Sequence, residues 1–539
     1  MRTKRKYLYN ALLLTLVTLL MRTVTVSFNV YVSNQAGADA MGLLSLVSGV
    51  YGFAVTLATS GIQLATVRTI AERLELSGGR ENKRCVLACL GYAAFFGSIA
   101  SVLLFSFATP IGVKLLRDTR TVRALRTLSF TLLPIALSSV LNGYFTAVRR
   151  AWKNAVTQVT EQGVKIAFTT YLLLAVAPKS VEGSMLAILL GGAVAESLSL
   201  LLNLIFYQLD KRHFRHIAKE KKAGQSPKKV GVAAIALPVA ISAYIRSGLL
   251  SIEHILIPRG LSAHGSGNAA ALAAYGSLQS MALPVILYPA AILSSFSALL
   301  IPEMTEQQAT GNKTEIRYIA GRVYQMTLLF SIGVSGVMFF LARELGTVLY
   351  HSEEVAVFIR QLAPLIPIMY LDTATDGMLK GLGQQVYSMN VNIADALISV
   401  IAVAILVPHM GISGYVITIY ITEIFNAACS VTRLLKITGY RPKLLTLFLR
   451  PLSSVIGATC CGNLLFSLCF PNTNGTGLSL FFHILLTFFL YIAFLLFTGG
   501  FGRADIKWLI GSLLPHPIPK VPKPQKTVST ATLIKSPKR

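Results

Sequence analysis

Charged residues are scarce in this sequence and make up 13% of its 539 residues. Soluble globular proteins have about a quarter of their residues charged. Apolar residues make up 54% of the chain, and the mean hydropathy is +0.63. These residues occur in long runs that do not alternate with polar ones, which argues against a transmembrane β-barrel. The composition therefore predicts an all-α, polytopic membrane protein.

Sequence patterns typical of catalytic or metal sites are missing. The six cysteines all fall in apolar runs, and none belongs to a CxxC motif or a Cys/His cluster, so we predict neither a metal site nor a disulfide. The absence of a GxxxxGK[ST] loop argues against an ATP-driven pump within this chain. We therefore expect no enzymatic activity, no catalytic residue and no cofactor.

Acidic residues are outnumbered by basic ones, with 22 Asp and Glu against 49 Lys and Arg and a net charge of +27. In a soluble protein this excess would suggest a nucleic-acid partner. In a membrane protein it is typical of cytoplasmic loops, where basic residues collect. The excess therefore predicts contact with membrane lipids, and no nucleic acid.

Fourteen apolar runs are long enough to cross a bilayer about 30 Å thick. They lie near residues 8–32, 41–67, 85–108, 128–148, 154–177, 183–208, 231–257, 269–300, 318–342, 355–379, 386–408, 411–435, 446–470 and 477–499. Most basic residues fall in the N-terminus, in alternate loops and in the tail, which predicts that both termini are cytoplasmic. The basic segment 110–127 falls on the outer side. It is either an amphipathic helix on the outer leaflet or a sign that a neighbouring span is misplaced.

An internal repeat relates the two halves of the chain. Pro134 and Pro367 occupy matching spans, as do Glu161 and Asp395, with offsets of roughly 230 residues. The repeat predicts two six-helix lobes around a central cavity, an arrangement that suits alternating access. The predicted divisions are a first lobe at 1–208, a basic cytoplasmic linker at 209–230, a second lobe at 231–443, two extra transmembrane helices at 444–500, and a basic cytoplasmic tail at 501–539.

Charged residues inside the spans are candidates for function, because each costs a few kcal/mol to insert unless it has a partner or water. Arg22 and Arg246 each lie in the first helix of a half, and neither has a neighbouring acid within one turn. Arginine binds phosphate through a planar, permanently charged fork. We therefore predict that Arg22 and Arg246 bind an anionic, diphosphate-like head group.

Other charges in the spans have partners at helical spacing. Glu161 and Lys165 are four residues apart, which predicts a structural ion pair, and Asp376 and Lys380 have the same spacing. Asp372 and Asp376 share one helix face. Asp372, Asp376, Lys380, Glu253 and Asp395 are candidates either for coupling transport to a proton or sodium ion or for gating.

Several segments of residues 10–440 resemble stage V sporulation protein B and related polysaccharide flippases of the multidrug/oligosaccharidyl-lipid/polysaccharide flippase superfamily. The matching segments, in family order and spacing, are Gly61–Thr66 with Ala71–Glu72, Asn142–Phe145, Val156–Gln162, Ala236–Val239, Tyr275–Ser277 with Leu300–Glu303, Lys380–Gly383 and Pro408–Gly414. The resemblance implies a fourteen-helix, two-lobed transporter with a V-shaped cavity in the bacterial cell membrane.

The resemblance also implies a cargo, a lipid-linked saccharide or peptidoglycan precursor on an undecaprenyl diphosphate carrier, in a sporulation or cell-wall role. Arg22 matches an arginine that related lipid II flippases have in their first helix. Those relatives have another arginine near their eighth helix, whereas the run 269–300 contains none. Two other functions stay open. One is a cation-coupled multidrug exporter of the same superfamily, and the other is a non-transporting scaffold for cell-wall enzymes.

Overall fold

A computed structural model describes residues 2–77, 82–148, 150–176, 180–217, 232–265, 267–442, 444–469 and 476–502. These residues form helices joined by short connections, and no strand occurs among them. Twelve of the helices are long and apolar enough to cross a membrane. One of the twelve, Leu20–Glu72, contains the predicted run 41–67 and the second half of the run 8–32. The predicted run 154–177 is helical over its described residues but is not among the twelve. The predicted all-α, polytopic class is confirmed.

The described residues of the first half form six α-helices. They are α1 (Arg2–Thr59), α2 (Ile62–Ser77), α3 (Asn82–Pro110), α4 (Arg120–Ala147), α5 (Ala151–Tyr171) and α6 (Val181–Ile217). Helix α1 bends at Gly37, whose φ of 80° is outside the helical range. Glycine adopts this conformation readily because it has no Cβ. The bend separates the first two predicted runs, 8–32 and 41–67.

The second half is divided into more pieces. Its helices are α7 (Val232–Ala263), α8 (Asn268–Gly276), α9 (Leu283–Leu287), α10 (Ala290–Ala309), α11 (Lys313–Phe340), α12 (Ala342–Tyr350), α13 (Glu353–Leu362), α14 (Ile366–Gly381), α15 (Gln385–Met410) and α16 (Ile412–Thr438). Two further helices, α17 (Leu444–Cys469) and α18 (Gly477–Phe497), follow and pack against each other. The repeat of six helices between the halves remains a prediction.

Proline interrupts two of the predicted runs. The run 269–300 is a series of shorter pieces, with a π-helical segment at Ser277–Ala282 and a break before α10 next to Pro289. The run 355–379 is divided between α13 and α14 by a short 3₁₀ segment that contains Pro364. Proline has no N–H to donate and clashes with the preceding turn, so the prediction of one continuous helix at 269–300 is wrong.

The basic segment 110–127 is not a separate amphipathic helix. Its first part continues α3 as a π-helical turn, Ile111–Leu115, and its last part is the start of α4. Asp118 lies just before α4, and its carboxylate forms an ion pair with Arg120 at 2.5 Å. An acidic residue is favourable at this position because the helix N-terminus carries a partial positive charge.

The two halves touch where α1 passes α8. A Cβ added to Gly42 would lie 1.9 Å from the carbonyl oxygen of Leu272, and one added to Gly276 would lie 2.5 Å from the amide nitrogen of Gly42. Glycine at both positions therefore allows the two backbones to approach at van der Waals distance. This contact is next to the central cavity described below, which Met41 and Leu44 of α1 help to line.

Helix α6 extends to Ile217 and so includes the first part of the predicted linker 209–230. The rest of that linker and most of the predicted tail 501–539 lie outside the described residues. So does the short interfacial helix that the sequence predicts at 505–514.

Candidate central cavity

A cavity of about 440 Å³ lies between the two halves. Its walls come from α1, α5, α6 and α7 and from the broken segment after α8. The lining residues are Thr25, Val26, Phe28, Asn29, Val32, Met41, Leu44, Ser45, Ser48, Gly49, Gln162, Lys165, Ile188, His254, Gln279, Ser280 and Pro284. Both halves contribute, so movement of one half against the other would change the shape of the cavity.

Hydrogen bonds across the halves fix one wall of this cavity. The side-chain amide of Asn29 donates a hydrogen bond to the carbonyl oxygen of Ser280 at 2.7 Å. The hydroxyl groups of Ser45 and Ser280 form a hydrogen bond with each other. The π-helical turn around Ser280 makes its carbonyl available, because a wider turn disturbs the regular pattern of backbone hydrogen bonds. The wall therefore presents amide and hydroxyl groups from both halves.

Two buried tyrosines hold two further lining residues, Gln279 and His254. The Tyr415 hydroxyl donates to Oε1 of Gln279 at 3.0 Å, and the Tyr275 hydroxyl lies 2.5 Å from Nδ1 of His254. Tyr275 is fully buried. Because these bonds hold Gln279 and His254 in place, their remaining polar atoms are positioned for a ligand.

Lys165 is the charged residue of the cavity, and no other charged residue is found among those that line it. The predicted ion pair between Glu161 and Lys165 does not form in the structure. Lys165 instead attracts both Glu161 and Glu196 at longer range. Spacing of four residues places two side chains on one helix face, but their rotamers decide whether they meet. The Lys165 ammonium is therefore available to the cavity.

Gln162 adds an unused donor beside this charge. Its Nε2 atom is buried and has no hydrogen-bond partner in the described part of the chain. An unpaired buried donor costs about 1–3 kcal/mol, which a ligand that supplies an acceptor would recover. Gln162 and Lys165 are three residues apart on α5, so they lie on one face and can act on the same group.

Arg22 lies at the edge of this cavity and does not line it. It is exposed, and within the described residues it makes no hydrogen bond or ion pair. Thr25 and Val26, which do line the cavity, are three and four residues further along α1. Arg22 is thus one helical turn from the lining, on the same side of the helix.

Arg246 occupies a different environment from Arg22. It lies on α7 at a point where α7 packs against α15, and it attracts the carboxylate of Asp395 on α15. It is not among the lining residues of the central cavity. The lining of the central cavity therefore does not bring Arg22 and Arg246 together, and their shared role in binding an anionic head group stays a prediction.

The remaining candidate charges gather inside the second half. Glu253 on α7 is 9% exposed, and one carboxylate oxygen of Asp395 is buried without a hydrogen-bond partner. Asp372 accepts a hydrogen bond from Asn426 at 3.3 Å, while its other oxygen has no partner. Unpaired oxygens of this kind can bind a proton or a small cation.

Asp376 and Lys380 form the predicted ion pair on α14, with Nζ and Oδ2 2.5 Å apart. Both side chains are partly exposed. Asp376 is one helical turn from the buried Asp372, and Lys380 is one turn further along α14. The pair therefore lies between the buried carboxylates of the second half and solvent.

Comparison with known proteins gives related sequences. Residues 7–244 match the family model described as "Polysaccharide biosynthesis protein". Stage V sporulation protein B of Bacillus subtilis (strain 168) is 26% identical over 77% of this chain and 81% of its own length. Lipid II flippase MurJ of the same organism is 22% identical over 84% of this chain and 87% of its own length.

Solved structures show the same fold. Lipid II flippase MurJ in an inward closed conformation matches with a TM-score of 0.65 and 12% identity, over 90% of this chain and 98% of that one. An inward-facing multidrug resistance MATE family transporter of the MOP superfamily matches with a TM-score of 0.60 and 16% identity, over 79% of this chain and 98% of that one. The resemblance predicted from the sequence motifs is confirmed.

Proposed function

We propose that this chain, which is similar to polysaccharide flippases of the multidrug/oligosaccharidyl-lipid/polysaccharide flippase superfamily, translocates a lipid-linked saccharide by alternating access. The cargo is a saccharide or peptidoglycan precursor on an undecaprenyl diphosphate carrier. The observation that carries this proposal is the central cavity, whose described lining has one cation, no carboxylate and many amide and hydroxyl groups.

The chemistry of the lining suits the polar part of such a cargo. Lys165 supplies a positive charge and Gln162 supplies a free N–H donor, as a phosphate requires. Asn29, Gln279 and Ser280 offer the amide, carbonyl and hydroxyl groups that bind sugars. A cationic drug would meet Lys165 without a compensating carboxylate, which disfavours the exporter alternative for this cavity.

Arg22 is the proposed entry contact for the diphosphate. It is exposed, without a partner among the described residues, and one turn from the cavity. A diphosphate could pass from Arg22 to Lys165 while its polyprenyl tail stays in the lipid between the halves. Arg246, beside Asp395, is better suited to holding α7 against α15.

The relatives' names support a role in the cell wall or in sporulation. We therefore place the chain in the bacterial cell membrane with both termini in the cytoplasm, as the distribution of basic residues predicts. Glu253, Asp372, Asp376, Lys380 and Asp395 are the proposed coupling or gating group, with a proton or sodium ion as its ligand.

Translocation by the purified protein tests this proposal. The full chain would be reconstituted in vesicles that contain a fluorescent undecaprenyl diphosphate saccharide in the inner leaflet, and arrival at the outer leaflet would be measured. We expect the protein to accelerate arrival and to leave the efflux of a cationic dye unchanged. Dye efflux without movement of the lipid-linked saccharide would favour the multidrug exporter, and movement of neither would favour the scaffold.

A further inference from the structure

A second polar cavity, of about 340 Å³, lies where the two C-terminal helices meet the body of the second half. It is lined by Gln325 and Leu329 of α11, Tyr440 and Arg441 after α16, Leu447, Arg450 and Pro451 of α17, and Gly499 and Gly500 after α18. It is far along the chain from the central cavity and shares none of its lining residues. The function proposed above makes no use of it.

The charge of this second cavity has one sign. Arg441 and Arg450 contribute two guanidinium groups, and no carboxylate is present among the described residues that line it. Both arginines are exposed. Arg441 makes no hydrogen bond or ion pair in the described part of the chain, so all its donors are available. Two unneutralised guanidinium groups around one cavity are suited to a phosphate group.

The backbone around both arginines is fixed by other contacts. Helix α16 ends at Gly439, which has a φ of 65° and donates its N–H to Leu435 at 2.9 Å. Tyr440 then packs its ring against the ring of Tyr324 on α11. Arg450 donates to the carbonyl oxygen of Gly499 at 2.9 Å. The cavity is therefore built from four chain segments and does not depend on one mobile side chain.

The cavity lies at one end of two apolar helices, where lipid head groups are expected. The apolar spans of α17 and α18 are Leu447–Leu468 and Gly477–Phe497, so Arg450 and Gly499 are at the same end of both. Phe448 and Leu449 are exposed on α17 next to Arg450, where they would contact acyl chains. Leu447, in the first turn of α17, also lines the cavity, and helix N-termini favour anions.

From these observations we infer that the cavity binds the phosphate group of an anionic phospholipid. By the predicted topology this lipid belongs to the cytoplasmic leaflet. Basic pockets between transmembrane helices on that side are suited to anionic head groups. A bound lipid would hold α17 and α18 against α11, because its phosphate would contact Arg441 before α17 and Arg450 within it.

Native mass spectrometry of the purified full-length protein tests this inference. Phosphatidylglycerol, phosphatidylethanolamine and inorganic phosphate would be titrated separately. We expect phosphatidylglycerol to bind more tightly than the other two. Arg441→Gln should weaken that binding about fivefold, and Arg441→Gln with Arg450→Gln about thirtyfold.

The matched control is Lys313→Gln with Lys436→Gln. These exposed lysines lie on the same side of the membrane and outside the cavity, so the control removes the same charge and should bind phosphatidylglycerol like the wild type. Arg450→Gln also removes a hydrogen bond that holds α18, whereas Arg441→Gln removes none within the described residues and gives the cleaner result. An equal loss of phosphatidylglycerol binding in the control would contradict the proposal that Arg441 and Arg450 form the lipid site. If inorganic phosphate binds as tightly as phosphatidylglycerol, the cavity binds free phosphate, and the proposal that it binds a lipid is wrong.

Discussion

At the scale of single residues, helical spacing predicted the neighbourhood of the charges but not their pairing. Asp376 and Lys380 meet as four-residue spacing suggests. Glu161 and Lys165 have the same spacing, yet Lys165 is part of the cavity lining. The difference depends on the side-chain rotamers and on charges from neighbouring helices, such as Glu196 on α6, which spacing along one helix does not show. Gln162 gave no sequence signal of its own, because a single glutamine in an apolar run is as often structural as functional.

The carboxylates of α14 give a prediction at this scale. Asp372→Asn with Asp376→Asn keeps the side-chain volume and removes both charges. If these groups bind the coupling ion, translocation measured across a proton or sodium gradient should lose its dependence on that gradient. Asp118→Asn, outside the buried group and paired with Arg120, is the control and should keep the dependence. Full gradient dependence in the double variant would leave gating as the role of this pair.

At the scale of helices, the length of the apolar runs predicted most of the long helices but not the short ones, such as α12. The failure of the prediction at 269–300 has a physical cause, because hydropathy averages ignore the hydrogen bonds that Pro284 and Pro289 cannot make. The π-helical turn at Ser277–Ala282 was likewise invisible to hydropathy. This π-helical turn matters for function, because its residues Gln279 and Ser280 line the central cavity.

The contact between α1 and α8 gives a prediction for these elements. Gly42→Ala should force the two helices apart, because its Cβ would overlap the Leu272 carbonyl oxygen. Overpacking of this kind costs about 1–3 kcal/mol, so the thermal unfolding midpoint in detergent should fall. Gly52→Ala is the matched control on α1, where an added Cβ meets no atom within 4 Å. Identical midpoints for the two variants would show that the halves do not need this close approach.

At the scale of the whole molecule, composition alone established the class, and charge asymmetry predicted the orientation. The predicted division into two six-helix lobes rests on a repeat whose strongest markers are prolines and charges. The orientation of the halves around the cavity could not be read from that repeat. Arg22 and Arg246 are a repeat pair by position, but Arg22 lies next to the cavity and Arg246 lies beside Asp395. Matching positions in a repeat therefore do not have to share a function.

Cysteine labelling tests the predicted orientation in intact cells. In a cysteine-free background, His351→Cys lies between α12 and α13, and Lys313→Cys lies at the start of α11. Both positions are exposed. A membrane-impermeant maleimide should label His351→Cys directly and should label Lys313→Cys only after permeabilisation. The reverse pattern would place the termini outside the cell and would contradict the positive-inside assignment.

The central claim, that a positive charge in the middle of the molecule binds the diphosphate of a lipid-linked saccharide, depends most directly on Lys165. The decisive measurement is the rate at which a fluorescent undecaprenyl diphosphate saccharide moves from the inner to the outer leaflet of vesicles. The vesicles would contain equal amounts of wild-type, Lys165→Gln or Lys165→Arg protein. Lys313→Gln is the charge-matched control. We expect Lys165→Gln to lose most of the activity, Lys165→Arg to keep a substantial part because the charge remains, and Lys313→Gln to match the wild type. Wild-type rates in Lys165→Gln would contradict the claim.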